Sequence, residues 1–356
     1  MALIHGGDTA GFRMEYGYEP LDFSANCNPL GVPEGVKRAI SLAALQLDVY
    51  PDPLCRSLRA ALSDHEGVRA EYILCGNGSA DLIDRLAYAR SPGIAVITDP
   101  SFSEYERALR NTNCRIIHHP LNREDGFALT ESILAQLTPE VDMLFLCNPN
   151  NPTGLTIRQQ LLEEILDACV KSNILLVLDE CFNGFLDDPE LYTLLPRINH
   201  CPNILILKAF TKLYGMAGVR LGYCLSSDTG LLEAMQKAGQ PWAVSSLAQA
   251  AGVAALDEED YVRTSRMIVH RERLYLSVAL DSLGLFVANS EANYLFFYID
   301  IPDLAIRMRE KGILIRDCSN YPGLHAGYYR IAVRTHKENV RLISAITAFV
   351  KESPNG

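Results

Sequence analysis

Six short and largely apolar runs constrain this chain more than any other feature, at residues 93–98, 115–118, 143–147, 175–178, 204–207 and 219–224. Most lack the polar/apolar alternation of a strand with one wet face, so they read as strands buried on both sides. Helical patterns lie between most of them. Buried strands alternating with helices specify an α/β architecture: a large domain whose mostly parallel central sheet is covered by helices. In such sheets ligands bind beyond the carboxyl ends of the strands, and it is after those ends that the polar residues with chemical potential fall.

The first such end is Tyr72-Ile-Leu-Cys-Gly76-Asn-Gly78-Ser79-Ala80-Asp81, a strand, a glycine turn and a helix start. Exposed amides and the positive end of the helix dipole make that junction an anion site. Asp81 stands where a dinucleotide fingerprint needs a glycine or alanine, and no G-x-x-x-x-G-K-[ST] loop occurs. Further ends carry Asp99-Pro-Ser-Phe102-Ser-Glu-Tyr105, Asn148-Pro-Asn-Asn151-Pro-Thr-Gly154 and Asp179-Glu-Cys-Phe182. A carboxylate at a buried strand end, such as Asp179, is expensive unless a cation pairs with it. The run ending at Lys208 leads to Thr211-Lys212 and, eight residues on, Arg220, with glycines at 215, 218 and 222. That wording suggests a reactive amine delivered from a strand end beside phosphate-binding groups. Lys208 and Lys212 are the two candidates.

Taken together, these motifs resemble those of fold-type I pyridoxal-phosphate enzymes, in the family that includes histidinol-phosphate aminotransferase. G-N-G-S-A-D, D-P-S-F, N-P-N-N-P-T-G, D-E-C-F and T-K-L-Y-G-M-A-G-V-R occur in that order, and the likeness spans nearly the whole chain. The resemblance implies pyridoxal 5'-phosphate as cofactor, with Lys212 as the lysine that links to it, since only Lys212 has the family's spacing to Arg220. It implies that Gly78, Ser79, Ala80, Thr211 and Arg220 hold the cofactor phosphate, and that Asn151 bonds its phenolic oxygen. It implies further that Asp179 keeps the pyridine nitrogen protonated, and that an aromatic stacks on the ring: Phe102, with Tyr105 as the alternative. Tyr50, in Tyr50-Pro-Asp-Pro53, implies a homodimer in which this tyrosine reaches the neighbouring subunit's cofactor. Two positions depart from the family: Ala209 replaces a hydroxyl residue, and Phe182 replaces a tyrosine.

The N-terminal wording, His5-Gly-Gly and Ser24-Ala-Asn26-Cys-Asn-Pro-Leu-Gly31, and the later Arg316-Asp-Cys-Ser-Asn-Tyr and Arg330-Ile-Ala-Val-Arg334 lean toward one subgroup, the threonine-phosphate decarboxylases of cobalamin synthesis. Strands are expected near 293–299 and 328–333. Arg330 and Arg334 share the parity of one strand face, and two arginines there call for anions. The resemblance makes Arg330 the clamp for the substrate α-carboxylate. His5, Asn26 and Arg334 are expected to hold a distal phosphate.

A chain of 356 residues accommodates more than one compact core. The expected division is 1–40 as an N-terminal arm and part of a small domain, 41–256 as the large cofactor-binding domain, and 257–356 as the small C-terminal α+β domain. A helix begun by Pro33 is expected near 33–46. A long amphipathic helix from about 257, holding Tyr261, Met267 and Leu274, is expected to open the small domain.

The 32 basic and 43 acidic residues give −11, which argues against a nucleic-acid or anionic-membrane surface. Ten scattered cysteines form no C-x-x-C pair, so neither a disulfide framework nor a metal site is expected. With no leader-like start and no apolar stretch of roughly 18 residues, a cytoplasmic protein is expected.

Three functions compete on the sequence. They are decarboxylation of threonine phosphate, transamination of histidinol phosphate or a relative, and a cofactor-binding regulator. The first leads and the second is its runner-up; a small phosphorylated amino acid is the expected substrate.

Overall fold

The computed structural model describes residues 5–352. A short N-terminal helix, α1 (Thr9–Tyr16), precedes a two-residue strand, β1 (Leu21–Asp22), and two further helices, α2 (Glu34–Ala43) and α3 (Arg56–Glu66). Seven strands then build the central sheet: β2 (Ile73–Gly76), β3 (Ile94–Asp99), β4 (Arg115–Pro120), β5 (Met143–Cys147), β6 (Leu175–Asp179), β7 (Ile204–Ala209) and β8 (Gly222–Leu225). Their order is β2-β8-β7-β6-β5-β3-β4. Only β8 runs against its neighbours, pairing antiparallel with both β2 and β7.

Alternate residues of each strand enter different cores. Leu144, Leu146, Leu176, Leu178, Ile204 and Ile206 pack on one face with Leu58 of α3 and with Leu161 and Ile165 of α6 (Gln159–Ser172). Met143, Phe145, Val177, Leu205 and Leu207 pack on the other. Their partners there come from α4 (Ser79–Arg90), α5 (Glu104–Arg110) and, past the four-residue α7 (Phe210–Leu213), from α8 (Thr229–Ala238). Because both faces are apolar, the strand period disappears and unbroken runs remain, as the sequence showed.

After α9 (Ser246–Leu256), α10 (Glu259–Asp281) leads into a four-stranded antiparallel sheet. It comprises β9 (Phe286–Val287), β10 (Tyr294–Tyr298), β12 (Arg316–Asp317) and β13 (Tyr328–Ala332), in the order β12-β13-β10-β9. Helices α11 (Leu304–Glu310) and α12 (His336–Glu352) cover it, and β11 (Ile313–Leu314) pairs in parallel with β1. Thus residues 21–23 belong to the C-terminal core, where Phe23 is buried with Leu295, Tyr329 and Ile331.

Two local expectations, at Pro33 and at Arg334, are corrected, and the inner face of the long helix is defined. Pro33 stands one residue ahead of its helix, with ψ of 150°, and α2 ends at Ala43 in a 3-10 turn. The buried face of α10 is Ser265, Val269, Glu272, Arg273, Leu276 and Leu280, while Met267 and Leu274 point outward. Strand β13 stops at Ala332, so Arg334 lies beyond it. Among the described residues no helix is long and apolar enough to cross a membrane.

Candidate active site

A cavity of about 400 Å³ opens beyond the carboxyl ends of β5, β6 and β7. It is lined by Ser79, Ala80, Phe102, Asn151, Asp179, Thr211, Lys212 and Arg220 from the large sheet's side, and by Arg330 from the small sheet. His5 and Asn26 reach it from the N-terminal segment. A larger cleft of about 1070 Å³ lies elsewhere, over the α3–α10 side. The smaller cavity brings Asn151, Asp179, Lys212 and Arg220 together and the larger cleft does not, so the smaller one is the candidate site.

At one end of the cavity, α4 begins at Ser79 with Gly78 as its N-cap and no side chain capping its amides. The dipole and free N–H groups therefore favour an anion there. Arg220 adds a cation: a Cβ at Gly78 would stand 2.7 Å from its Nη2. Gly78 itself has φ of 84°, a conformation that glycine adopts without strain. Gly222 is equally constrained, since a Cβ there would stand 2.7 Å from the Ser79 amide.

Asp179 is buried at the end of β6, and burial pushes its carboxyl pKa up. Its partners are neutral donors: the Tyr105 hydroxyl at 2.6 Å and the Cys181 amide at 3.0 Å. The two aromatics that the sequence left as alternatives are thereby separated. Phe102 lines the cavity, while Tyr105 lies beneath it, stacked on Phe145 and bonded to Asp179. Phe182 is buried edge-on against Tyr294, with ring centroids 5.0 Å apart.

The two lysines are likewise in different surroundings. Lys208 lines the larger cleft, donates to Glu66 at 2.7 Å and lies 3.9 Å from Glu180. Burial opposes its charge, but the two carboxylates raise its pKa. Lys212 lines the candidate site, where burial lowers its pKa and Arg330 and Arg220 lower it further. A depressed ammonium pKa favours the free amine needed for nucleophilic chemistry.

Arg330 is buried and donates to Asn151 Oδ1 at 2.5 Å and to the Ser24 carbonyl at 2.8 Å. Its Nε has no hydrogen-bond partner among the described residues, and neither has Asn26 Oδ1. Sequence reasoning assigned no role to Arg316 and Tyr321, yet both line the cavity. Arg316 is directly opposite Arg330 in the β12–β13 ladder and donates to Asn320 at 2.9 Å. The register across the loop between β12 and β13 leaves no local signal, so only the wording Arg316-Asp-Cys-Ser pointed there.

Arg334 is a correction. It does not line the cavity; its guanidinium bonds Glu338 at 2.8 Å and the Asp22 carbonyl at 3.1 Å. The same-face inference failed because the strand ends before it. Tyr50 is 77% exposed and stacks on Trp242, 4.7 Å away, outside the cavity of its own chain.

The site suits pyridoxal phosphate on two grounds. An uncapped helix start beneath an arginine, entered through a glycine at positive φ, suits its phosphate. A buried carboxylate with only neutral partners suits a protonated ring nitrogen.

Residues 18–346 match the family model for aminotransferase class I and II. The chain is 40% identical over 355 residues to the threonine-phosphate decarboxylase of Salmonella typhimurium, covering 97% of each chain. It is 36% identical over 337 residues to a histidinol-phosphate aminotransferase of Desulfitobacterium hafniense, covering 92% of this chain and 91% of that one. Among solved structures, it resembles the histidinol-phosphate aminotransferase of Sinorhizobium meliloti in complex with pyridoxal-5'-phosphate. The TM-score is 0.86 at 25% identity, covering 99% of this chain and 96% of the other. With the match spanning both sheets and the cavity between them, the chain belongs to the class I and II aminotransferase family and is a pyridoxal-phosphate-dependent enzyme of fold type I.

Proposed function

We propose that this protein decarboxylates L-threonine O-3-phosphate to aminopropanol O-2-phosphate, the reaction that serves cobalamin biosynthesis. The observation that carries this reading is the Arg316–Arg330 pair. Like charges directly opposite in an antiparallel ladder destabilise it, and here both are buried at the cavity wall. Two anionic groups on one small substrate, a carboxylate and a phosphate, relieve that repulsion. The 40% identity to the Salmonella enzyme supports the same substrate.

Under this reading Ser79, Ala80, Thr211 and Arg220 hold the cofactor phosphate around the turn at Gly78. Asn151 and Phe102 fix the ring, and Asp179 holds a proton on its nitrogen. When bound, pyridoxal phosphate supplies an electron sink conjugated with the substrate's α-carbon. Arg330 binds the α-carboxylate through a planar fork that suits it, and its free Nε is available to complete the contact. Arg316, with His5 and Asn26, takes the distal phosphate. Carbon dioxide leaves with the carboxylate carbon, and the Lys212 ammonium or water supplies the proton that replaces it.

Transamination of histidinol phosphate is the second reading, favoured by the 36% identity to the Desulfitobacterium enzyme; there Lys212 removes the α-proton. A homodimer is proposed in either case. Leu42, Leu45, Leu47, Val49 and Tyr50 are all exposed along and after α2, an apolar surface that calls for a partner. Incubation with threonine O-3-phosphate, and separately with histidinol phosphate and 2-oxoglutarate, decides between the reactions. Carbon dioxide from the first, without glutamate from the second, is expected; the converse would select the aminotransferase.

A further inference from the structure

On the cavity's N-terminal side, four ionisable groups from three parts of the chain form a continuous series. Asp84 of α4 accepts two bonds from Arg107 Nη2, at 2.8 and 2.9 Å. Arg107 Nε donates to Glu104 Oε2 at 2.5 Å, and Glu104 Oε1 meets His5 Nε2 at 2.7 Å. His5 and Glu104 both line the candidate site. A carboxylate there would repel a doubly anionic substrate unless compensated, and Arg107 on its other oxygen supplies the countercharge. The His5 hydrogen bond, against the cost of burial and aided by Arg107, holds the Glu104 carboxyl below its usual range.

The imidazole is held through Nε2 and also faces the Phe102 ring, with centroids 5.9 Å apart. Its Nδ1 has no partner among the described residues, and a carboxylate on one imidazole nitrogen orients the other toward its ligand. The residues after His5 are tied down as well. The Gly7 amide donates to Ser24 Oγ at 2.7 Å. A Cβ at Gly6 would stand 2.3 Å from the Ser24 carbonyl oxygen, the same oxygen that Arg330 Nη2 reaches at 2.8 Å. The segment carrying His5 is therefore in direct contact with the residue that accepts from Arg330.

We propose that Glu104 is a positioning residue for substrate specificity. Anchored by Arg107, it clasps His5 and closes the Gly6–Asp8 segment over the cavity, presenting Nδ1 to the phosphate of the substrate. This rests on the reading that a phosphorylated amino acid occupies the site. Glu104 need not touch the substrate; it fixes the group that does. Because Arg107 is itself fixed to α4, the helix whose start lines the cofactor end of the cavity, the clasp sets the distance between the two phosphate positions.

The test uses the holoenzyme with Glu104→Gln, His5→Asn and the double variant. Loss of a charge-assisted contact should lower kcat/KM for threonine O-3-phosphate on the order of tenfold, mainly through KM. The double variant should lose no more than the more affected single one, and Glu104→Gln should cost several-fold more on threonine O-3-phosphate than on unphosphorylated threonine. Independently of turnover, inorganic phosphate should slow amide hydrogen exchange in the segment from Gly6 to Phe12 of the native protein and fail to do so in Glu104→Gln. Equal losses on phosphorylated and unphosphorylated substrates, or phosphate protection that survives Glu104→Gln, would overturn the clasp. If the native enzyme does not decarboxylate threonine O-3-phosphate but the phosphate protection depends on Glu104, the substrate reading fails and the clasp stands.

Discussion

Arg316→Gln should have opposite effects on stability and on catalysis. Cβ atoms of directly opposed residues in an antiparallel ladder stand about 5 Å apart. Two unit charges at roughly that spacing repel by about 3 kcal/mol at an effective dielectric of about 20. The heads of Arg316 and Arg330 diverge to different acceptors, Asn320 for one and Asn151 and Ser24 for the other, so about 1 kcal/mol of net relief is the realistic expectation. In a chain of this length that raises the melting temperature of the phosphate-free enzyme by roughly 1–3 °C. The same change removes a charge-assisted contact with the substrate phosphate, costing about 1.5–3 kcal/mol. That corresponds to a fall of roughly 10- to 150-fold in kcat/KM for the phosphorylated substrate. Thermal melts with and without inorganic phosphate, alongside steady-state kinetics on threonine O-3-phosphate and threonine, read both effects. A variant that melts lower without phosphate and keeps its preference for the phosphorylated substrate would refute the idea that the pair is held in wait for two anions.

Borohydride reduction of the holoenzyme should fix the cofactor on the peptide containing Lys212; label on Lys208 would exchange the roles of the two lysines. Glu180, which burial pushes up to about 7 from an ordinary 4.5 against the pull of Lys208, makes the folded state bind more protons than the unfolded one between those values. Its contribution therefore falls as pH rises from about 4.5 to about 7, and Glu180→Gln should flatten that loss and stabilise the protein at pH 8 by on the order of 2 kcal/mol. Melts at pH 5 and pH 8 that show no such difference would mean that Lys208 keeps Glu180 ionised throughout. Mixing Tyr50→Phe with Lys212→Ala should restore part of the activity if sites are shared across a dimer, and a fully active monomer in sedimentation would dismiss that arrangement.

The apolar runs were legible because each central strand feeds two cores and so carries no polar face to interrupt it. Strand direction was not. Residues 222–225 are as buried as those of the parallel strands, and nothing in a run of apolar side chains records that β8 is reversed. The residues after the strand ends were readable as motifs since each motif is contiguous, and Ser79, Asn151, Asp179, Lys212 and Arg220 do converge on one cavity. What depended on register or on where a strand stops was not readable. Arg316 meets Arg330 only through β12–β13 pairing, and Arg334 has the parity for the same face but sits past the final ladder residue. In α10, Met267 and Leu274 have the composition of core residues and lie on the outer side, since the inner side is held partly by Glu272 and Arg273 with bonds of their own.

The pairing of β1 with β11 has a temporal side. Leu21 is matched with Ile313, and Ala332 donates to the Phe23 carbonyl at 2.8 Å. On the ribosome these partners emerge roughly 290 residues apart, which at typical elongation rates is about 15–60 s. The central sheet, spanning residues 73–225, can condense within that interval, whereas Phe23 must wait with its apolar ring in water until the C-terminal strands appear. The segment bearing His5 is tied to this late strand through Ser24. During synthesis the binding end of the cavity is therefore assembled last, and a chain released early would possess the cofactor end without it.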